Sequence, residues 1–341
     1  MAKLAHFSDS LADWQARAQS VRTAILTGAE LNPLPERPPL NPVLTNRRLR
    51  DSYSVEDVAF EATPGFYVFG NLYRPLRASK TNRMPAILIT HGHFKEEGWF
   101  ARTRPENQIL CATLAQMGAV VFTYDMVGWG DSTQVSHSVR NVLQLQLWDS
   151  IRAVDSVGSL PEVDPKRIDV TGASGGAAQI VYLAAIDPRI ASSMPVVQVS
   201  SRYSGSERCE DGMKVHSVSG PYDTNNAEIA ALVAPHPLML VFDGDELYGA
   251  ADSVPNRHFP NEGHDHGPSK RRVAYRFFSR SFGLAAPPAH ETAKIESQAD
   301  QTVRLWVDLP GTFHDDVEGI SAGKILGQPV RATRSLFTKN P

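Results

Sequence analysis

Cysteine is scarce in this sequence: Cys111 and Cys209 are the only two in 341 residues. Two thiols do not make a disulfide framework, and a chain of this length buries a core without one. Cys111 falls in an apolar helical pattern and reads as a buried thiol; Cys209 falls in a polar loop. Charge of one sign is also lacking. The formal net charge is -3, and no Lys/Arg cluster is dense enough to serve as a nucleic-acid footprint. The short basic run Ser269–Arg272 (SKRR) reads as the solvated start of a helix. No apolar run is long enough to cross a bilayer as a helix. The N-terminus, MAKLAHFSDSLADWQARAQS, carries Asp9, Asp13 and Trp14 where a signal peptide needs an unbroken apolar stretch, so the chain reads as cytoplasmic. What remains is an ordinary globular composition, 42% hydrophobic and 21% charged. It calls for no cofactor and no nucleic-acid or membrane partner, and it is silent on oligomeric state.

Periodicity supplies the elements. Ser8 to Thr27 has helical spacing, with Leu11, Trp14, Ala18, Val21 and Ile25 on one face. LNPLPERPPLNPVL follows as an extended, proline-rich connector. SVEDVAFEATPGFYVFGNLYRP alternates on both sides of TPG, a hairpin signal. Four apolar runs then read as buried strands: MPAILIT, AVVFTYD, RIDVTG and PLMLVFDGD. NRHFP reads as a fifth strand. The helices between and after them are PENQILCATLAQM with a terminal glycine, SVRNVLQLQLWDSIRAVDSVGSL, AAQIVYLAAI, AEIAAL and PSKRRVAYRFFSRSF. Apolar strands without polar alternation are covered on both faces, so the fold is α/β with a mostly parallel, doubly wound sheet and an antiparallel N-terminal hairpin at one edge. The expected organisation is a helix and connector over 1–50, a catalytic domain over 51–284, and an irregular, loosely attached tail over 285–341.

In such a sheet, reactive groups gather at the carboxyl ends of the strands. Those ends read HGHF, DMVGWGDS, GASGG, DGDE and NEGHDHG, which brings a serine, acids and a histidine to one rim in chain order Ser, Asp, His. Gly172 and Gly176 flank Ser174 at two residues on either side, as a sharp strand-to-helix turn requires when it exposes a nucleophilic hydroxyl. The helix N-terminus beneath Ser174 favours negative charge, and the Gly175 backbone N–H points to an oxyanion hole. His93, in the turn after the first buried strand, is its second donor. His264 is the general base, with His266 as a rival. The acid that orients it is Asp245, with Asp243 as the alternative. Only about ten residues then lead to the next strand, short for a parallel crossover; either the crossover helix is cut to a turn or the last strand pairs differently. Asp125 and Asp131 fix their loop by local hydrogen bonds. His91, Trp129, Asn225 and Asn226 are candidate substrate contacts, as are Cys209, Glu210 and His216 in the long connection over the rim; capping explains Asn225 and Asn226 equally well. His91-x-His93 has ligand-like spacing, and Cys209, Glu210 and His216 are residue types that bind zinc, but neither group brings a full set of ligands, so no metal is expected.

LITHGH, YDMVGWGDS, DVTGASGGAAQ, TNNAEIAALVAPHPLMLVFDGD and FPNEGHDHGPSKR together resemble the α/β-hydrolase superfamily, specifically its acetyl xylan esterase-like branch near the dienelactone hydrolases and glucuronoyl esterases. The resemblance covers roughly Ser54 to Gly283. It implies a serine esterase with Ser174 as nucleophile, His264 as base and an acid after VF. It also implies acetylated sugars as substrates and an acyl-enzyme intermediate. Relatives carry a longer segment after the acid strand, a tyrosine at the position of His266 and an arginine at that of His236, and many are exported. The alternatives from other classes are a binding or scaffold protein on a hydrolase fold, and a peptidase or thioesterase.

Overall fold

A computed structural model describes residues 10–96, 99–197, 224–243 and 255–301, with positions 215 and 326. Ser10 caps the first helix, α1 (Leu11–Gly28), by accepting from the Asp13 backbone N–H. The helix buries Ala18, Val21, Ala24 and Ile25, but Leu11 is 71% exposed. The buried stripe thus begins a turn later than the spacing implies.

Among the described residues, nine strands form one sheet. In chain order they are β1 (Val43–Leu49), β2 (Tyr53–Thr63), β3 (Phe66–Pro75), β4 (Met84–Thr90), β7 (Val120–Tyr124), β8 (Val163–Ala173), β9 (Ile190–Val196), β10 (Leu240–Asp243) and β11 (Asn256–Phe259). The short pair β5 (Lys95–Glu96) and β6 (Trp99–Phe100) stands apart. The order across the sheet is β1-β2-β3-β7-β4-β8-β9-β10-β11. The β1–β2, β2–β3 and β3–β7 pairs are antiparallel, and every pair from β7 to β11 is parallel. The expected hairpin is β2–β3, turning at Gly65 with φ 79°.

Two hydrophobic layers sandwich the sheet. One joins α1, α3 (Val142–Gly158), α4 (Gly175–Ile186) and α5 (Asn226–Ala231); the other joins α2 (Pro105–Met117) and α6 (Pro268–Phe282). Within β4, Ala86 and Leu88 enter the first layer while Ile87 and Ile89 enter the second. A strand wedged between two apolar layers has no polar face, and that is why these strands read as unbroken apolar runs.

Two strands carry no such signal. β1 is polar and forms the sheet edge, where Arg48 pairs with Asp57 at 2.8 Å and with Glu296 at 2.7 Å. β9 (IASSMPV) is buried but contains Ser192 and Ser193; Ser192 Oγ donates to Asp169 Oδ1 on β8 at 2.7 Å. The last strand does pair parallel with β10, so the short connection makes a parallel crossover. Most of that connection, 244–254, lies outside the described residues.

Two further expectations are corrected. Lys270 and Arg271, read as the solvated start of a helix, open α6 but are buried. The tail is firmly held as far as Gln301. Glu291 accepts both Nε and Nη2 of Arg271, at 2.8 and 2.7 Å, Glu296 pairs with Arg48 and Arg50, and the Gln301 carbonyl accepts from Arg102 at 2.9 Å. Its anchors are arginines distant in sequence, which local periodicity does not reveal. No helix among the described residues is long and apolar enough to cross a membrane.

Candidate active site

Four strand ends build the site: β4 leads to His91-Gly92-His93, β8 to Ser174, β10 ends on Asp243, and β11 leads to the loop bearing His264. The neighbouring strands β4 and β8 send their connections in opposite directions, β4 to β7 on one side and β8 to β9 on the other. A crevice opens at such a point.

Ser174 sits at φ 56°, ψ -125°, between the last residue of β8 and the first of α4. A non-glycine residue there stores about 1–3 kcal/mol of strain. The surrounding bonds hold it in place: its N–H donates to the Val196 carbonyl at 3.0 Å, and its carbonyl accepts from Ala178 at 3.1 Å. The flanking glycines are sterically obligatory. A methyl on Gly172 would lie 2.8 Å from the Gly176 backbone, and one on Gly176 would lie 2.5 Å from the carbonyl oxygens of Thr90 and His91. Thr90 Oγ1 ties the turn further by donating to the Gly176 carbonyl at 2.8 Å. Gly92 packs so tightly on the Ala173 carbonyl that a side chain there would collide at 2.7 Å. The turn bearing His93 is therefore pressed against the turn bearing Ser174.

Ser174 Oγ lies 2.9 Å from His264 Nε2. The other ring nitrogen, Nδ1, is 3.2 Å from Asp243 Oδ2, at contact distance but without an aligned hydrogen bond. Asp243 is buried, whereas the His264 side chain is 47% exposed, with the edge of Phe94 against it at 5.9 Å between ring centroids. Asp245 lies outside the described residues, as do Cys209, Glu210 and His216. Gly175 opens α4, so its N–H is among those that helix geometry leaves without an intrahelical partner.

His93 Nε2 is 2.8 Å from His137 Nε2, and His137 Nδ1 is 2.8 Å from the Val127 carbonyl. A carbonyl only accepts, so His137 carries its proton on Nδ1 and receives a hydrogen bond from His93. Burial, then the neighbouring His137, lowers the His93 pKa to about 4. Trp129 stands edge-on to His93 at 5.2 Å, with Lys95 Nζ over its ring at 5.1 Å. Trp129 thus remains partly exposed beside the site.

Other expected contacts are occupied elsewhere. His91 is buried, donates from Nδ1 to the Gly92 carbonyl at 2.9 Å, and accepts the Met126 N–H on Nε2 at 3.1 Å. Both nitrogens hold backbone, so His91 is a strut between two loops rather than a substrate contact. Asn225 accepts the Glu228 N–H at 2.9 Å and caps α5, and Asn226 is the first residue of that helix. Asp125 does accept the Asp131 N–H at 2.8 Å, as the loop reading requires. Arg102, which no local pattern marks, is fully buried and ion-pairs with Asp125 and, at 2.6 Å, with Asp131. Among the described residues, no group of three or more histidine, cysteine or acidic side chains is placed to hold a metal.

His266 is 1% exposed, and among the described residues neither ring nitrogen has a hydrogen-bond partner. Its burial, then the charges of Arg271 and Lys270, lower its pKa to about 3, against a partial offset from Asp265. The folded state therefore holds it neutral, whereas the unfolded chain protonates it below about pH 6.5. Its contribution is complete above that pH and is lost progressively down to about pH 3. His266→Leu is accordingly expected to lose about 2 kcal/mol less stability than the parent between pH 7 and pH 5, measured by urea denaturation.

This sheet order, with helices on both faces and a serine raised on a strained strand-to-helix turn, defines an α/β-hydrolase, and the chain is a carboxylic ester hydrolase. It belongs to the acetyl xylan esterase (AXE1) family, which residues 30–217 match. Among solved structures, Methylesterase BT1017 is 29% identical with a TM-score of 0.76, the match covering 97% of this chain and 75% of that one. A candidate acetyl xylan esterase from Bacteroides fragilis NCTC 9343 is 17% identical (TM-score 0.58; 84% and 87% covered). A promiscuous CE15 esterase from a marine bacterial metagenome is 14% identical (TM-score 0.51; 76% and 91% covered). The last two share the fold alone. No curated protein sequence matches the chain.

Proposed function

We propose that this chain hydrolyses esters carried on carbohydrates, acetyl esters first, through an acyl-enzyme on Ser174. The observation that carries the reading is the 2.9 Å approach of Ser174 Oγ to His264 Nε2 at a strained turn on the carboxyl rim of the sheet. His264 takes the hydroxyl proton as Oγ attacks the ester carbonyl. The N–H groups of Gly175 and His93 receive the oxyanion, and His264 returns the proton to the leaving alcohol. Water then repeats the attack on the acyl-enzyme and frees Ser174.

Asp243 is the acid of this reading, because its carboxylate stands beside His264 Nδ1. Contacts of this kind are often loose before substrate binds and tighten afterwards. Asp243→Asn is expected to lower kcat by roughly 10³–10⁴-fold, by removing the partner that fixes the imidazole tautomer and stabilises its cation. Asp245→Asn is expected to change kcat by less than about 3-fold. The reverse ranking in steady-state assays would move the acid role to Asp245.

Family membership favours acetyl esters, in which the sugar is the leaving alcohol. The 29% identity to a protein named a methylesterase favours a second reading, methyl esters of sugar acids, in which the sugar is the acyl half. A panel of acetylated xylo-oligosaccharides, methyl-esterified oligouronides, 4-nitrophenyl acetate, a thioester and a peptide separates them by product. Acetate release supports the first reading and methanol release the second. Turnover of only the thioester or the peptide would refute both.

A further inference from the structure

Lys270 sits in the first turn of α6 with a fully buried side chain. A cation there faces the positive end of the helix, and an ammonium taken out of water needs strong partners. Both local rules are broken, and such violations cluster at working sites. Among the described residues, its partners all come from one short segment. Nζ donates to the Gly263 carbonyl at 2.5 Å and to Asp265 Oδ1 at 2.9 Å, and Glu262 Oε2 lies 3.8 Å away. Asp265 Oδ1 also accepts the Gly267 N–H at 2.8 Å, which closes the segment onto the helix.

His264 lies in the middle of that segment. Its ring is half-exposed and its contact with Asp243 is unaligned, so its side-chain partners among the described residues alone leave its orientation under-determined. The backbone has to supply the rest. The ammonium grips the peptide carbonyl immediately before His264 and the side chain immediately after it.

We infer that Lys270 is a positioning residue for His264: its buried ammonium is the internal ligand around which the loop 262–267 is wrapped, and that wrapping sets the imidazole within reach of Ser174. The inference rests on the proposed role of His264 as general base. Lys270 touches no substrate and acts only through the loop.

The test is Lys270→Met, which keeps the stem and removes the charge, assayed beside His264→Ala. Misplacing a catalytic group by about 1 Å costs on the order of 100-fold. Lys270→Met is expected to lower kcat by about 10- to 100-fold with KM within 2-fold. Reaction of Ser174 with a fluorophosphonate, which also needs the imidazole, should slow by the same factor. A merely structural role would lower the melting temperature and leave the kcat of the folded fraction unchanged. Should Lys270→Met fail to fold, Asp265→Asn carries the test from the solvent side, since the Asp265 side chain is 42% exposed; a 3- to 10-fold loss in kcat at constant KM is expected. Wild-type kcat and labelling in the folded variant, or a rise in KM alone, would overturn the inference. An inactive His264→Ala beside a fully active Lys270→Met would sink the Lys270 role only, whereas an active His264→Ala would sink the reading it rests on.

Discussion

Replacing Ser174 by alanine is expected to lower kcat/KM toward 4-nitrophenyl acetate by roughly four to six orders of magnitude, leaving only what the oxyanion donors and binding provide. Because nucleophile and base act as one unit, Ser174→Ala/His264→Ala should be scarcely worse than either single variant. Stability moves independently. Alanine at φ 56° keeps the strain of the turn, whereas glycine relieves it. Ser174→Gly is therefore expected to be equally inactive but about 1 kcal/mol more stable than Ser174→Ala, measured by urea denaturation. Ordinary activity in Ser174→Ala would remove the nucleophile from the mechanism.

Arg102→Met is expected to cost about 3–5 kcal/mol of stability. Arg102 is buried and serves Asp125, Asp131 at 2.6 Å, Asn71 Oδ1 at 2.8 Å, and, through the Gln301 carbonyl at 2.9 Å, the C-terminal segment and the β1–β3 edge it spans. Without the guanidinium, the Asp125 carboxylate stays buried with no cation against it among the described residues, which is the dominant part of the cost. Arg102→Met/Asp125→Asn should recover a substantial part of the loss, because it removes the stranded charge along with its partner. The same bonds hold the loop carrying Trp129, and a methyl at Gly130 (φ 58°) would lie 2.2 Å from the Asp125 carboxylate. Denaturant midpoints for the two variants measure both effects. A loss below about 1 kcal/mol in Arg102→Met would show that the network is dispensable.

The parts of the protein legible in its sequence are those set by local sterics or by burial on two faces. The Ser174 turn is legible because crowding at Gly172 and Gly176 excludes every other residue type there. The strands β4 and β7 are legible because both of their faces meet hydrocarbon. Helix ends are legible where Gly118 and Gly283 mark them. What stays hidden depends on partners far along the chain. β9 hides because a buried carboxyl, Asp169, offsets the polarity of Ser192. β1 hides because its Arg48 is satisfied by Asp57 and by Glu296, the latter 248 residues away. Lys270 and Arg271 look like solvated helix residues until Asp265, Gly263 and Glu291 are placed around them. His91 looks like a ligand or substrate contact, and nothing in its neighbours along the chain shows that both ring nitrogens are taken by backbone. The acid is a finer case. Loop reach favours Asp245 in the sequence, while Asp243, the last residue of β10, stands 3.2 Å from His264.

Catalysis of the proposed kind turns on a nucleophilic hydroxyl at the bend between β8 and α4, activated by His264. Treating the protein with a fluorophosphonate and mapping the adduct by peptide mass spectrometry tests this directly. The expected result is a single phosphonyl group on the peptide containing Ser174, formed quickly in the parent, far more slowly in His264→Ala, and not at all in Ser174→Ala. A stoichiometric adduct on any other residue, or an unlabelled protein that still hydrolyses esters at full rate, would contradict it.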